Sequence, residues 1–480
     1  MLTTRLIQIL HLLERDEFKR FGQFLNSPYH NIREKPVDLF NYLYPFFPEF
    51  NDPALDKSKV FRALFPQKPY NDTKLRQVMS YTTKKLEEFI AIENNYDEDN
   101  PKNLQLLSFL RKRSDAHLFG LYWKTIMNQY EQQQSLTEEV YLRRFQFEAE
   151  NTRHIEQLSQ EKSRLQELNL SSLGQNLDHY YIISKLKLYC DVLNYRNITG
   201  DTPDLLLMDE ILNHIQQNDY SHVPGIAIYY NIIQTLLNNE NESNFTRLKK
   251  LLSNYAYRFE RREARRMYGM AQNFCIKKIN SGQDNYLEEL FEIFQKLLHQ
   301  KIIFGDDGKL SPWDFKNIVT VAVRLGRLNW TETFIEQYHH YIEEEEKTNA
   351  YTYNRAKLAY HQGDYSKVLD LLNQVTYNDI FYNLDSRVLL IKTYYELNEV
   401  VALDSAISSL NTFLNRKKRV VADYQRQLYS NFSHFVKQLS SLSINSDKEV
   451  QKLSSKLQNT NLVADKGWLQ KQVALLASTN

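Results

Sequence analysis

The stretch "AKLAYHQGDYSKVLDLL" (356–372) shows most clearly how this chain folds. Its first half places small residues, among them Ala359, on one side of a predicted helix. A Gly-Asp-Tyr turn follows at Gly363, because glycine and aspartate favour turns. Val368 and Leu372 then recur at the interval expected for a second helix. The stretch therefore predicts two helices folded back on each other as a hairpin.

The same pattern recurs on both sides of this stretch. The segment "IKTYYELNEVVALDSAI" aligns Asn398 with Gly363 at a spacing of 35 residues, and "VTVAVRLGRLNWTETFI" aligns Gly326 at a spacing of 37. Two looser copies lie further upstream, where Tyr286 and Phe245 take the place of the turn tyrosine at spacings of 41 and 42. The sequence thus predicts five hairpins in succession.

The two clearest units resemble the tetratricopeptide repeat (TPR), a helical hairpin of 34 residues. In that family each hairpin buries its apolar face only against its neighbours, so the hairpins stack into a superhelix. The repeat character covers roughly 205–439, about half of the chain. The resemblance implies a concave face that binds another protein.

The scarcity of turn-forming residues extends the helical prediction to the whole chain. Gly 12 and Pro 11 make up about 5% of the 480 residues, against about 12% in an average protein. Neither residue occurs between Gly120 and Gly174. Apolar residues recur at intervals of three and four rather than two. The sequence therefore predicts an all-α fold, with a helical N-terminal section, long helices and a TPR-like α-solenoid.

Proline placement and composition divide the chain into four predicted sections. Eight of the eleven prolines lie at or before Pro101, which predicts a compact helical domain at 1–100. Residues 101–204 predict a hairpin or bundle of long helices. The TPR-like repeats occupy 205–440, and 441–480 predict helices that cap the stack.

The net charge and the spacing of the cysteines argue against several classes of protein and of site. Lys+Arg 60 against Asp+Glu 59 gives a net charge of +1, which provides no general attraction to nucleic acid or membranes. Cys190 and Cys275 match no metal or redox spacing and form no disulfide framework. No run of apolar residues is long enough for a membrane span, and "IQILHLL" is a poor signal peptide. These observations predict a cytoplasmic protein.

No motif predicts catalysis. The patterns G-x-S-x-G and H-E-x-x-H are absent. The stretch "GDDGKL" (305–310) has glycines only three apart and Leu310 after its lysine, so it predicts a turn rather than a phosphate-binding loop. The sequence predicts no catalytic, cofactor-binding or metal-binding residue, and therefore no enzyme.

An arginine-rich stretch is the predicted partner-binding site. The segment "RFERREARR" contains five arginines that fall on or beside one helical stripe: Arg258, Arg261, Arg262, Arg265 and Arg266. Guanidinium groups bind carboxylates and phosphates in bidentate geometry, so the stripe predicts docking of an acidic protein or peptide. The alternative is a solvated helix face with intrahelical ion pairs to Glu260 and Glu263.

The first section carries two further resemblances. The pattern F-x-x-FL-x-SPY-x-N (21–31), followed by "KVFRALFPQKPYNDTKLRQVMSYTTKKLEEFI" (59–90), resembles the N-terminus of uncharacterised proteins from Bacteroidota-type bacteria, and implies no activity. Residues 57–88 also resemble the winged helix of bacterial activators and contain eight basic against three acidic residues. That balance favours phosphate contacts, although the acidic "AIENNYDEDN" that follows predicts no β-wing.

The corner "SPYHN" within this pattern holds a serine, a phenol and an imidazole. We expect a structural role, because Ser27 precedes Pro28 and a proline disfavours helix in the residue before it. Asn31 is expected to bond free backbone groups, and Tyr29 is expected to pack back on the helices.

These patterns predict a non-enzymatic scaffold or adaptor that binds another protein through the concave face of its repeats. The alternative is a DNA-binding transcriptional regulator, in which residues 57–88 contact nucleic acid and the repeats form an effector domain.

Overall fold

The computed structural model describes residues 4–96, 99–132, 136–158, 168–199, 203–238, 240–374, 380–442 and 447–478. These residues form 23 α-helices and contain no β-strand, so the predicted all-α fold is confirmed. Within the same ranges no helix combines the length and the apolar character that a membrane crossing requires.

The chain forms two compact units. Unit 1 comprises Met1–Gln133 and Glu139–Asp178, and unit 2 comprises Gln134–Glu138 and His179–Asn480. Within unit 2, the carboxylate of Glu138 accepts a hydrogen bond from Lys187 Nζ at 2.5 Å. The four sections expected from the sequence stay a prediction.

Unit 1 contains the first eight helices, apart from the first residue of the eighth, and the start of the ninth. Their bounds are α1 Arg5–Leu10, α2 Arg15–Asn26, α3 Glu34–Leu43, α4 Lys57–Leu64, α5 Asp72–Tyr96, α6 Asp99–Lys112, α7 Ala116–Gln132, α8 Glu138–Leu158 and α9 Leu170–Thr199. The helix α2 begins with a capping box, in which Glu14 and Glu17 each accept from the other's backbone N–H. Its apolar stripe is buried, with the Phe18 ring centre 4.8 Å from that of Phe40.

The corner after α2 is structural, as predicted. The helix ends at Asn26, and the side-chain amide of Asn31 donates to the carbonyl oxygens of Leu25 and Arg33, at 2.8 Å each. The expectation for Tyr29 is wrong, because its side chain is 90% exposed. The His30 ring takes the expected place and stacks on Phe24, with ring centres 4.3 Å apart.

Unit 2 contains the remaining helices. Their bounds are α10 Met208–Gln217, α11 Pro224–Leu237, α12 Glu242–Tyr255, α13 Arg261–Asn280, α14 Tyr286–His299, α15 Pro312–Arg324, α16 Leu328–Tyr338, α17 Glu344–Gln362, α18 Tyr365–Leu372, α19 Ile380–Glu396, α20 Val400–Arg416, α21 Asp423–Ser441, α22 Asp447–Asn459 and α23 Lys466–Ser478. From α11 to α20 the helices pair as successive hairpins, and α14, α16 and α18 each also pack against the first helix of the next hairpin. This packing is compatible with a helical repeat.

Four of these hairpins turn in the same way. Gly282, Gly326, Gly363 and Asn398 have φ angles of 94°, 71°, 80° and 56°, the left-handed region that glycine and asparagine tolerate. At Gly363 the N–H donates to the carbonyl three residues back at 3.1 Å, and the next N–H donates five residues back at 3.0 Å. The other three turns make the same two bonds, which define a Schellman motif. The alignment of the last three turns from sequence is confirmed.

The last two helices complete the core of the last hairpins. Val450, Leu453, Trp468 and Leu469 of α22 and α23 are buried in one cluster with residues of α19, α20 and α21. The cluster accounts for the apolar stripe of each terminal helix, because an amphipathic helix is stable only where its apolar face is covered.

Candidate partner-binding surfaces

The five arginines predicted to bind a partner lie at the start of α13 and just before it. Arg258 ends a short 3-10 helix, Ala256–Arg258. The other four lie within the first two turns of α13: Arg261, Arg262, Arg265 and Arg266. The structure therefore keeps all five in one short segment.

Two of these arginines bind carboxylates from other helices of unit 2. Arg265 forms an ion pair with Asp314 in the first turn of α15. Burial raises the pKa of the Asp314 carboxyl, although the neighbouring guanidinium acts against this. Arg266 forms an ion pair with Asp191 of α9. These two side chains link α13 to its neighbours, and an acidic partner would have to compete with the carboxylates that they already hold.

A third arginine contacts the turn that resembled a phosphate loop. Arg261 Nη1 donates to the carbonyl oxygen of Gly305 at 3.1 Å. The predicted turn is confirmed, since the N–H of Gly308 donates to the same oxygen at 3.0 Å and its φ is 75°. Arg262 is exposed and has no ion pair within the described part of the chain. Docking of a partner on the arginine stripe stays a prediction.

A row of three lysines crosses the first helices of three consecutive hairpins. Lys316 of α15 has its Nζ 2.7 Å from Oδ2 of Asp385 on α19. Lys392 of α19 has its Nζ 2.6 Å from Oδ2 of Asp465, just before α23. Lys357 of α17 lies between them along the chain. Lys316 and Lys392 are only 7% and 8% exposed, whereas their carboxylate partners are more exposed; the two ion pairs join α15 to α19, and α19 to the start of α23.

The middle lysine of this row differs from the other two. Lys357 Nζ donates to Thr320 Oγ1 at 2.7 Å and has no carboxylate at ion-pair distance among the residues described. Burial lowers the pKa of Lys357 to about 8, and the more distant Asp385 and Asp465 offset this only in part. The row therefore contains one half-buried cation that no anion neutralises directly.

Around this row of lysines, aromatic and polar side chains form hydrogen bonds to the carboxylates of Asp385 and Glu396. The hydroxyl of Tyr429 on α21 donates to Oδ1 of Asp385 at 2.9 Å, which engages the second oxygen of that carboxylate. One oxygen of Glu396 accepts from three neutral donors: Tyr360 at 3.1 Å, Trp468 at 3.1 Å and Gln472 at 2.9 Å. Side chains of α17, α19, α21 and α23 thus bond to one another across this face.

An open groove lies between α14 and α16, the second helices of two consecutive hairpins. Its volume is about 570 Å³. Along α16 it is lined by Trp330, Phe334 and Tyr338, whose neighbouring ring centres are 5.3 Å and 4.8 Å apart. Phe334 is buried and forms the floor, whereas the other two rings are half-buried. We call this site the aromatic groove.

The opposite wall of the aromatic groove is polar. Glu292, Lys296 and His299 of α14 line it, so both signs of charge are present. Gln300 follows α14, and its Oε1 is enclosed with no hydrogen-bond partner in the described residues. An enclosed acceptor without a donor is costly, so an N–H group in the groove would be stabilised there. The sequence signal for this site is the spacing of three aromatic residues at every fourth position of one helix.

Two lysines of the basic segment 57–88 of unit 1, Lys68 and Lys74, lie close to each other and to Lys35. Lys74 Nζ and Lys35 Nζ lie 4.5 Å and 5.2 Å from the ring centre of Phe65. The neighbouring Lys68 lowers the pKa of Lys74, because two ammonium groups that meet repel each other. Lys57 instead forms an ion pair with a carboxylate of the same segment. Two lysines therefore lie over one ring, and Lys68 lies beside one of them.

Within the residues described, no group of three or more His, Cys, Asp or Glu side chains is arranged to hold a metal ion. No family model matches the chain, and neither a curated protein nor a solved structure matches it.

Proposed function

We propose that the chain is a non-enzymatic scaffold that binds a segment of another protein through its repeat hairpins. The aromatic groove is the observation that carries this proposal. Tryptophan and tyrosine are the residues most often responsible for binding energy at protein interfaces, because each buries a large area and retains a polar atom. The groove offers a half-buried ring of both kinds, Trp330 and Tyr338, in one open depression.

The partner segment would lie along the groove between α14 and α16. Its apolar side chains would cover Trp330 and Tyr338, and a backbone or side-chain N–H would donate to Gln300 Oε1. Glu292 and Lys296 would contact polar groups at the edges. Other proteins recognise a helical or extended segment in the same way, with its apolar side chains in a groove.

The proposal retains the tetratricopeptide-like character, and it keeps the concave face expected from the sequence as a second contact surface, because the aromatic groove lies between second helices and not on that face. In such a stack the first helices of the hairpins line the concave face, which here would include α13, α15, α17 and α19. On that face Lys357 and Arg262 are the cations best placed to receive an acidic partner. The two cysteines are buried and unpaired, which supports a cytoplasmic location, and the resemblance of the first section supports a bacterial origin.

Affinity purification from the native cell tests the aromatic groove. The full chain is compared with the double variant Trp330→Ala and Tyr338→Ala. Loss of two interface anchors is expected to lower recovery of the specific partner roughly 30-fold, equivalent to about 2 kcal/mol. The matched control is Tyr257→Ala, which removes a 63% exposed tyrosine of the same unit from outside the groove. Equal recovery with the double variant would show that the groove is not the binding site.

The DNA-binding alternative keeps one observation in its favour, the cluster of Lys35, Lys68 and Lys74. If that cluster contacts phosphates, the full chain retards a DNA duplex at low salt, and the variant Lys68→Gln with Lys74→Gln retards it less and with a weaker salt dependence. A mobility-shift experiment in which the wild-type chain leaves the duplex unshifted at low salt eliminates this alternative.

A further inference from the structure

A second open site lies between α20 and α21. It is a cleft of about 550 Å³, within the range of sites that bind small molecules. We infer that this cleft binds a small molecule that carries phosphate or carboxylate groups. The inference is independent of the aromatic groove and goes beyond the proposed scaffold function.

The charged side chains of the cleft are mainly basic. Arg426 and Lys437 of α21 line it, together with His434. Lys456 Nζ of α22 lies 3.0 Å from His434 Nε2 and adds a further cation beside the cleft. The one carboxylate that lines it, Asp423, is already in an ion pair with Arg426. The net charge is therefore positive, which favours an anion.

Arg426 retains an unused donor. Its Nη2 binds Asp423, whereas its Nε is enclosed and has no hydrogen-bond partner in the part of the chain that the structure describes. An enclosed guanidinium N–H without an acceptor costs free energy. An anionic oxygen bound in the cleft would supply that acceptor, and arginine suits this role because its N–H groups form charge-assisted hydrogen bonds with anionic oxygens.

The rest of the lining is suited to a small polar molecule. Ile407 and Leu414 of α20 are buried and form an apolar floor. Amide side chains, among them Asn415 and Gln427, line the walls and supply both donors and acceptors. Ser433 Oγ donates to Asn411 Oδ1 at 3.0 Å, which fixes one wall across the two helices. Apolar floor, amide walls and a cationic group are the usual constituents of a small-molecule site.

A run of four basic residues lies at one end of the cleft. The sequence "RKKR" (416–419) follows Asn415 directly, and all four residues are exposed. The run precedes Asp423, so it connects the two helices that form the walls. Exposed cations beside a cleft raise the local concentration of anions and speed their association. Attraction of anions to the cleft would account for this basic run, which the scaffold function does not explain.

Calorimetric titration of the full chain tests the inference. Pyrophosphate and citrate serve as probes for a phosphate and a carboxylate source, each at constant ionic strength. We expect at least one probe to bind with a Kd below about 1 mM. The variants Arg426→Gln and Lys437→Gln are each expected to weaken binding roughly tenfold, since each removes a charge-assisted hydrogen bond.

The control is Lys452→Gln, which removes the same charge from an exposed position of α22 and should leave the Kd unchanged. Circular dichroism confirms that each variant keeps its helical content. The inference is overturned if neither probe binds with a Kd below about 1 mM. It is equally overturned if both cleft variants bind the probe as tightly as the wild-type chain. Binding of one probe alone identifies the anionic group that the cleft selects.

Discussion

At the scale of single residues, loss of one partner of the ion pair between Lys316 and Asp385 should lower the stability of the chain. Lys316 is only 7% exposed, so removal of its partner leaves an uncompensated charge away from solvent. Asp385→Asn is therefore expected to destabilise the chain by about 3 kcal/mol. Urea unfolding followed by circular dichroism measures the change. The control is Asp404→Asn at an exposed position of α20, which should change stability by less than about 0.5 kcal/mol.

A second variant separates loss of the pair from loss of packing. In the double variant Lys316→Met with Asp385→Asn no charge is left buried, so most of the lost stability should return. If the double variant is less stable than Asp385→Asn alone, the ion pair is not what limits stability at this position.

Lys357 makes stability depend on pH in a defined direction. Its pKa is lowered to about 8 in the folded chain, against 10.5 ordinarily. Between these values the unfolded chain binds the proton and the folded chain does not, so this group's contribution to stability rises with pH. Lys357→Met should stabilise the chain by about 1 kcal/mol near pH 7, and that advantage should shrink above about pH 8.

Urea unfolding of the wild-type chain and the Lys357→Met variant, at about pH 7 and about pH 9.5, measures this advantage. Lys367→Met is the matched control, because Lys367 is an exposed lysine in the same hairpin. An advantage that is constant with pH would contradict the lowered pKa.

At this scale the sequence predicts which residues carry charge but not which partners they have. Local spacing alone indicates the arginine stripe. Its carboxylate partners, Asp191 and Asp314, lie in distant helices, and helical periodicity gives no information about them. For the same reason the row of lysines was not predicted, since its ion pairs join Lys316 and Lys392 to residues about seventy positions away.

At the scale of helices and turns, the change of glycine to alanine should have opposite effects on stability at two positions. One position lies in a hairpin turn and the other lies inside a helix. Gly363 has a φ of 80°, where a side chain is strained, so Gly363→Ala should destabilise the chain by about 1–2 kcal/mol. Gly269 lies inside α13 with open space where a Cβ would stand. Gly269→Ala should therefore stabilise the chain by about 0.5–1 kcal/mol. Thermal unfolding of both variants measures the two effects. Melting temperatures that shift in the same direction would contradict the prediction.

The turns were predictable because each depends on a few adjacent residues. Gly326, Gly363 and Asn398 could be aligned from sequence, and they share one backbone geometry. The aromatic groove was not predicted, because it depends on the distance between α14 and α16, which results from the stacking of whole hairpins. Its three aromatic residues are visible in the sequence, but their spacing is equally typical of a fully buried helix face.

For the whole molecule, the two compact units should lose structure separately. Leu39 and Leu410 are both fully buried, the first in unit 1 and the second in unit 2. Each change to alanine should cost about 2–5 kcal/mol. Hydrogen exchange measured by mass spectrometry is expected to show faster exchange in unit 1 for Leu39→Ala and in unit 2 for Leu410→Ala. The same pattern of exchange from both variants would show a single cooperative unit.

The four equivalent turns also have a consequence for how the gene can change. A deletion or duplication that runs from one turn to the next would join two identical backbone conformations, so recombination could change the number of hairpins without a mismatched junction. The ion pair from Lys316 to Asp385 opposes this, since it links α15 to α19 past the hairpin of α17 and α18. The ion pair from Arg266 to Asp191 acts in the same way earlier in the chain, since it links α13 to α9 past the hairpin of α11 and α12. Natural length variants should therefore keep the two hairpins that these bridges pass over.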